Sequence, residues 1–95
     1  MIHVMARINV TPESADAAKA ILTTLVAASR KEAGCLAYEL FQRLDAPHVF
    51  QTVEQWTDQA AVDAHMATPH IGAAIAAAGP MFTAPPEILG FAKLM

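Results

Sequence analysis

Two histidines stand close together around a predicted helix break. His65 and His70 flank Thr68-Pro69, and a proline inside a helical pattern ends or kinks the helix. Neutral histidine accepts and donates protons near pH 7, so the pair predicts a catalytic base or a proton shuttle. The alternative interpretation is structural, with a ring nitrogen of one or both histidines holding the helix break in place.

One predicted strand carries an acid between aromatic residues. Phe50, Glu54 and Trp56 share a face because side chains alternate along a strand. Turned towards the helices, this face would give a pocket with an apolar wall and one acid, suited to a planar aromatic substrate. Alternatively, Phe50 and Trp56 are core residues, and Glu54 pairs with Arg7 or Arg43 or caps a helix.

Other polar or aromatic residues have two interpretations each. The hydroxyl of Tyr38 could bond a substrate oxygen or a backbone group. Arg7 and Asn9 could stabilise an oxyanion or lie at a contact between subunits. Cys35 is predicted to be a buried, inert thiol. The loop containing Phe82 could be a pocket lid or a plain connection. The predicted substrate-binding residues are therefore Tyr38, Phe50, Trp56 and Phe82.

No metal or cofactor site is predicted. The proline break leaves the relative orientation of His65 and His70 open, and Asp63 could complete a 2-His-1-carboxylate set that the spacing does not require. The sequence has no G-x-G-x-x-G, phosphate loop, C-x-x-C or H-E-x-x-H motif. Nicotinamide, Rossmann-bound flavin and structural zinc are therefore not expected.

The first elements are a strand and a long helix. Residues 2–10 alternate between an apolar face and a mixed face, which predicts a strand. Apolar residues then recur at helical spacing. Thr11 is expected to cap this helix, and Gly34 is expected to end it in the left-handed conformation.

A hairpin and the last elements follow. Residues 35–44 and 48–56 read as two strands joined by a turn at Asp45-Ala46-Pro47. The later elements are a helix capped by Thr57-Asp58, an alanine-rich helix from Thr68-Pro69 to about Gly79-Pro80, and a strand over 87–94.

The order β-α-β-β-α-(α)-β predicts one α+β domain over residues 1–95. Short, right-handed connections fold this order into a ferredoxin-like antiparallel sheet with the helices on one face. The other face also carries apolar groups that the helices cannot cover. We therefore predict a homodimer through stacked or edge-joined sheets.

The composition excludes several partners. The net charge is −3 and the basic residues are scattered, which argues against nucleic acid. The chain is 55% hydrophobic, but no apolar run approaches the ~18 residues of a membrane span. The N-terminus lacks a signal-peptide pattern. The single cysteine, Cys35, cannot form a disulfide within the chain, so a cytoplasmic location is expected.

Three motifs together resemble the antibiotic biosynthesis monooxygenase family. Glu32 to Tyr38 is similar to its E-x-G-C-x-x-Y motif, and Pro47 to Trp56 is similar to its P-x-x-F…E-x-W motif. His65 to His70 is similar to its H-x-x-T/S-P-H helix junction. The motifs fall in register over nearly the whole chain, and their combination is specific.

The resemblance implies a dimeric α/β-barrel and a cofactor-free monooxygenase. Such an enzyme would oxidise a phenol, quinol or related aromatic with O₂. His65 or His70 would remove the phenolic proton, and Glu54 would orient the substrate. The family's chemistry is diverse, so a non-oxidative isomerase of a small carbonyl compound and a non-catalytic small-molecule binding protein remain alternatives. Haem is disfavoured, because His65 and Ile75 stand where the haem-degrading branch has tryptophan and histidine.

Overall fold

The structure, a computed structural model, describes residues 1–95. Its strands are β1 (Ile2–Asn9), β2 (Cys35–Gln42), β3 (Val49–Trp56) and β4 (Glu87–Phe91). They form one sheet in the order β2-β3-β1-β4, in which every adjacent pair is antiparallel. This topology confirms the predicted α+β, ferredoxin-like fold.

Three α-helices connect the strands. They are α1 (Ala15–Ser29), α2 (Gln59–Met66) and α3 (Pro69–Ala78), with short 3-10 turns at Pro12–Ser14 and Gly79–Met81. Asp58 caps α2 by accepting a 2.9 Å hydrogen bond from the amide of Ala61. Thr68 caps α3 by accepting one from the amide of Ile71, so both predicted helix starts are confirmed. No helix has the length and apolar character that crossing a membrane requires.

The first helix differs from its prediction at both ends. The Thr11 side chain does not cap a backbone amide: its hydroxyl donates to the Ser14 hydroxyl at 2.7 Å, and a 3-10 turn precedes α1. The helix ends at Ser29, and Gly34 is not left-handed, since no residue has a positive φ. Gly34 is needed for space: a Cβ there would collide with the Cβ of Ala61. The glycine therefore lets α2 pack closely onto the start of β2.

Alternating side chains give the sheet one covered face. In β1 and its continuation Val4, Ala6, Ile8 and Val10 are buried, and in β3 every second residue from Phe50 to Trp56 is buried. A register shift between Cys35 and Ala37 turns Leu36 outwards, where it is half exposed. The hydrophobic core forms where the helices pack onto this face, and its largest cluster contains Ile8, Val10, Ala18, Leu22, Leu25, Phe50, Ile71 and Ala74.

The other face of the sheet is not covered by any element of the chain. The strand register places Met5 beside Val53 on β3 and Leu89 on β4. Three large apolar side chains of this face are between 43% and 47% exposed: Phe41, Leu89 and Phe91. The uncovered face therefore carries the apolar groups that the sequence predicted.

Candidate functional site

A cavity of about 340 Å³ lies between the sheet and the helices. Fifteen of its 21 lining residues are hydrophobic, which is typical of a site for an apolar small molecule. The sheet contributes alternate side chains of β1 and part of β4, and the helices contribute Val62, Ala74 and Ile75. The polar or titratable lining residues are Tyr38, Thr52, Glu54, Gln59 and His65.

Three chain segments bring two histidines onto one carboxylate. The Oε2 atom of Glu32 lies 2.6 Å from Nδ1 of His65 and 2.8 Å from Nε2 of His70. Glu32 lies in the turn after α1, His65 lies in the last turn of α2, and His70 lies in the first turn of α3. The helix break at Thr68-Pro69 directs both rings to the same oxygen, and we call these three residues the Glu32 cluster.

The contact with Glu32 fixes the chemistry of the His65 ring. A carboxylate only accepts hydrogen bonds, so Nδ1 of His65 donates to it, and in the neutral form of the ring the lone pair then lies on Nε2. The ring is also packed 4.4 Å from the Trp56 ring and 5.8 Å from the Tyr38 ring, between centroids. His65 is therefore an oriented imidazole on the cavity wall, with Nε2 available to accept a proton from a bound molecule.

A second carboxylate, Glu54, is fixed by different donors. Its side chain is buried, and its two oxygens accept hydrogen bonds from the Thr52 hydroxyl at 2.6 Å and from the indole of Trp56 at 2.9 Å. The Thr52 hydroxyl in turn accepts from the amide of Ala6 at 3.1 Å. Glu54 is thus held rigidly on the sheet floor of the cavity.

The pairing of Glu54 with an arginine is therefore wrong. Arg7 lies 3.7 Å from Glu87, and Arg43 forms a 2.9 Å contact with Asp45. Both arginines are exposed and lie away from the cavity, so the proposed oxyanion role of Arg7 also has no geometric support. The hydroxyl and indole donors of β3 replace the arginine that the sequence suggested.

Tyr38 lies opposite Glu54 in the pairing of β2 with β3. Burial and then the negative charge of Glu54 raise the pKa of the Tyr38 hydroxyl well above its usual value. The phenol therefore stays protonated and remains a hydrogen-bond donor beside Glu54 in the lining of the cavity.

Cys35 is a half-buried thiol. Burial, and then the charges of Glu32 and Glu54, raise its pKa. The thiolate is therefore disfavoured, and the thiol contacts the carbonyl of Ala37 at 3.6 Å. The environment is that of an unreactive cysteine.

The predicted site residues separate into three groups. Tyr38, Glu54, His65 and Phe82 line the cavity. Trp56 is fully buried behind His65, and His70 reaches the cavity only through Glu32. Phe50 is 1% exposed inside the core cluster and does not line the cavity, so its role as a pocket wall is not supported.

Glu32 was not predicted as a site residue. Its only signal in the sequence was its position at the head of the E-x-G-C-x-x-Y motif. In the 2-His-1-carboxylate set that the sequence allowed, the acid beside the two histidines is Glu32 and not Asp63. Asp63 instead accepts a 2.9 Å hydrogen bond from Gln59. The donor atoms of the Glu32 cluster lie within 4.8 Å of one another and are of the types that bind zinc or iron. However, the His65 and His70 nitrogens both lie at hydrogen-bond distance from the same oxygen of Glu32. In this structure the three side chains therefore contact one another directly.

The sequence model of one protein family, antibiotic biosynthesis monooxygenase, matches residues 1–77. The chain belongs to this family. The matched segment contains the whole Glu32 cluster, as well as Tyr38 and Glu54, and ends before β4.

Relatives cover nearly the whole chain. The Bacillus subtilis (strain 168) protein named "Putative monooxygenase YcnE" is 32% identical over 89 residues, which are 94% of each chain. A crystal structure of an antibiotic biosynthesis monooxygenase superposes with a TM-score of 0.95 at 29% identity and covers 100% of both chains. PA3566 from Pseudomonas aeruginosa has a TM-score of 0.92 at 34% identity, over 99% of this chain and 94% of the other.

Proposed function

We propose that this family member is a cofactor-free monooxygenase that oxidises a quinol or related phenol with O₂ in the cavity. One observation carries the proposal: the His65 ring lies on the wall of an apolar cavity while its Nδ1 atom is bound by Glu32. A histidine oriented by a carboxylate is suited to act as a general base through its other nitrogen.

The proposed reaction begins with a proton transfer. Nε2 of His65 takes the proton of the substrate hydroxyl, because a phenolate gives an electron to O₂ far more readily than a phenol. For a quinol, one oxygen atom then enters the ring and the other leaves as water. The product is a hydroxyquinone, and the quinol itself supplies all four electrons, so no external reductant is needed.

The rest of the cavity would position the substrate. The apolar walls accommodate an aromatic ring, and Phe82 adds an aromatic side chain. Glu54 on the sheet floor would accept a hydrogen bond from a second substrate hydroxyl. Tyr38 would donate to a substrate oxygen, because its raised pKa keeps the phenol protonated. Trp56 would act indirectly, by holding His65 and Glu54 in place.

Oxygen uptake tests this proposal. The purified protein is incubated with a panel of benzo-, naphtho- and anthraquinols in air-saturated buffer, after treatment with a chelator. Uptake above the spontaneous rate, lost in a His65→Asn variant, is expected. Activity that appears only when zinc, iron or another metal is restored would contradict the cofactor-free part of the proposal. No uptake with any quinol would contradict the whole.

A non-oxidative isomerase is the second candidate function. A base on His65 and a protonated phenol on Tyr38 line the same cavity, and an acid–base pair of this kind can move a proton within a small carbonyl compound. Turnover that persists under argon would favour this candidate. Tight binding of small aromatic compounds without any turnover would favour a binding protein.

We also propose that two copies pair through the uncovered face of the sheet. Phe41, Leu89 and Phe91 are each more than two-fifths exposed there, and exposed apolar patches of this kind mark interaction surfaces. Sedimentation of the purified chain should give a species of twice the chain mass, and Val53→Glu should convert it to single chains. A wild-type monomer at micromolar concentration would contradict the pairing.

A cytoplasmic location is also proposed, and it is supported by the single, unpaired cysteine.

A further inference from the structure

The two histidines of the Glu32 cluster compete for one negative charge. The same carboxylate oxygen lies 2.6 Å from His65 and 2.8 Å from His70. The two ring centroids are 6.1 Å apart, so two imidazolium ions would repel each other. One carboxylate balances one such cation but not two.

We propose that Glu32 supports one imidazolium at a time, so that proton uptake by His65 from a cavity ligand expels a proton from His70 into solvent. This inference rests on the proposed function, in which His65 takes the proton of a quinol hydroxyl. His70 does not touch the cavity and is therefore a positioning residue that acts through Glu32. It controls where the positive charge of the cluster lies.

The proton balance has two coupled steps. At rest His70 carries the extra proton and His65 is neutral. The ligand hydroxyl then gives its proton to Nε2 of His65, while Nδ1 of His70 gives one proton to water. Glu32 stays ionised and keeps both hydrogen bonds. The net result is one phenolate in the cavity, one proton in solvent, and no change in the charge of the cluster.

Exposure and helix position favour this direction. The side chain of His65 is 4% exposed, that of Glu32 15% and that of His70 26%, so the cluster leads from the cavity towards solvent. His65 lies in the last turn of α2, where the helix dipole favours a positive charge. His70 lies in the first turn of α3, where the dipole disfavours one. The dipoles therefore favour the transfer of the charge to His65, whereas the greater exposure of His70 to water favours the resting arrangement.

The neighbouring ionisable groups do not offer another outlet for the proton. Burial raises the pKa of both Tyr38 and Cys35, so both stay neutral. Each oxygen of Glu54 already accepts a hydrogen bond. Arg30 is bound through its Nε atom to the carbonyl of Tyr38 at 2.9 Å. Among the ionisable groups around Glu32, His70 is the one that combines contact with the carboxylate and access to water.

Proton release on ligand binding tests the inference without turnover. Under argon, 1,4-naphthohydroquinone is titrated into the protein in weak buffer containing a pH indicator. The wild type should release about one proton per ligand bound, since the cluster holds a single cation. His70→Gln can keep a hydrogen bond to Glu32 but has no proton to give up, so its release should fall to nearly zero. His48→Gln, at a histidine outside the cluster, is the matched control and should behave like the wild type.

The possible outcomes separate this inference from the proposed function. Equal release from the wild type and His70→Gln would overturn it, as would a wild type that binds the ligand without releasing a proton. His70→Ala is the second variant, in case the glutamine variant does not fold, and it should show the same loss. Proton release without oxygen uptake in air would contradict only the proposed function. A failure of naphthohydroquinone and of every other quinol in the oxygen-uptake panel to bind would contradict both.

Discussion

Two carboxylates meet at the candidate site, and their hydrogen-bond donors differ. Glu54 is bound by a hydroxyl and an indole, neither of which gives up a proton near pH 7. Glu32 is bound by two imidazoles, both of which can gain or lose one. Glu54 lies on the sheet and Glu32 lies in a turn between elements. From this difference we expect Glu54 to keep the site in shape and Glu32 to control proton transfer.

The largest expected effect is the loss of the base on His65. His65→Asn keeps a donor near the position of Nδ1 but removes the nitrogen that faces the ligand. The rate of quinol oxidation should fall roughly 10²- to 10⁴-fold, which is the usual contribution of a general base. Single-turnover oxygen uptake measures it, and His48→Asn is the control. A variant that keeps more than a third of the wild-type rate would show that His65 is not the base.

The next effect separates the two carboxylates by activity. Glu32→Gln removes the charge that orients His65 and stabilises its imidazolium form, so kcat should fall roughly 10²-fold. Glu54→Gln should act mainly on substrate binding, with a rise in KM that exceeds its loss of kcat. Steady-state kinetics of both variants measure the contrast. A larger loss of kcat in Glu54→Gln than in Glu32→Gln would contradict this distinction between the two carboxylates.

The same two variants should differ in stability in the opposite order, with the larger loss in Glu54→Gln. Glu54 is 3% exposed, and an amide there faces the Trp56 or Thr52 donor with a nitrogen instead of an oxygen. The free energy of unfolding should fall by about 1–3 kcal/mol. Glu32 is partly exposed, so Glu32→Gln should cost less. Urea unfolding of the two variants gives the order, and an equal loss would remove the distinction between structural and proton-controlling acids.

Gly34→Ala should disturb the Glu32 cluster through the backbone. Its Cβ would meet Ala61 in α2, and overpacking of this kind costs roughly 1–3 kcal/mol. Because α2 also carries His65, the rate should fall together with the stability. Gly72→Ala, where an added Cβ meets nothing within 4 Å, is the control. If both alanine variants unfold at the same urea concentration, the close approach of α2 does not depend on Gly34.

The smallest expected effect appears at high pH. The raised pKa of Tyr38 means that the folded protein favours the neutral phenol. This contribution to stability is fully present below the ordinary tyrosine pKa of about 10 and is lost as pH rises above it. Tyr38→Phe should therefore lose less stability than the wild type between pH 9 and pH 11, as measured by thermal unfolding. Parallel losses in the two proteins would show that folding does not raise the pKa of Tyr38.

Local patterns predicted the fold well. The alternation in residues 2–10, the cap at Asp58 and the break at Thr68-Pro69 each depend on neighbours in the sequence, and each was confirmed. Gly34 shows the limit. A glycine is needed at this position because of the close approach of Ala61, 27 positions further along the chain. Rules based on neighbouring residues in the sequence cannot predict such a contact.

The candidate site was harder to predict for the same reason. Alternation placed Phe50 and Glu54 on the same buried face, but it could not tell which part of that face lies under α1 and which part borders the cavity. Glu32 contacts histidines 33 and 38 positions away. The spacing of His65 and His70 predicted a pair, and only the tertiary structure supplies the carboxylate between them.

The most direct test is a crystal structure of the protein with 1,4-naphthohydroquinone bound under argon. The account predicts the ligand inside the cavity, with one hydroxyl oxygen about 2.6–3.2 Å from Nε2 of His65. Nδ1 of the same ring should remain bound to Glu32. A ligand whose oxygens contact only Glu54 and Tyr38, with Nε2 of His65 left to water, would contradict it.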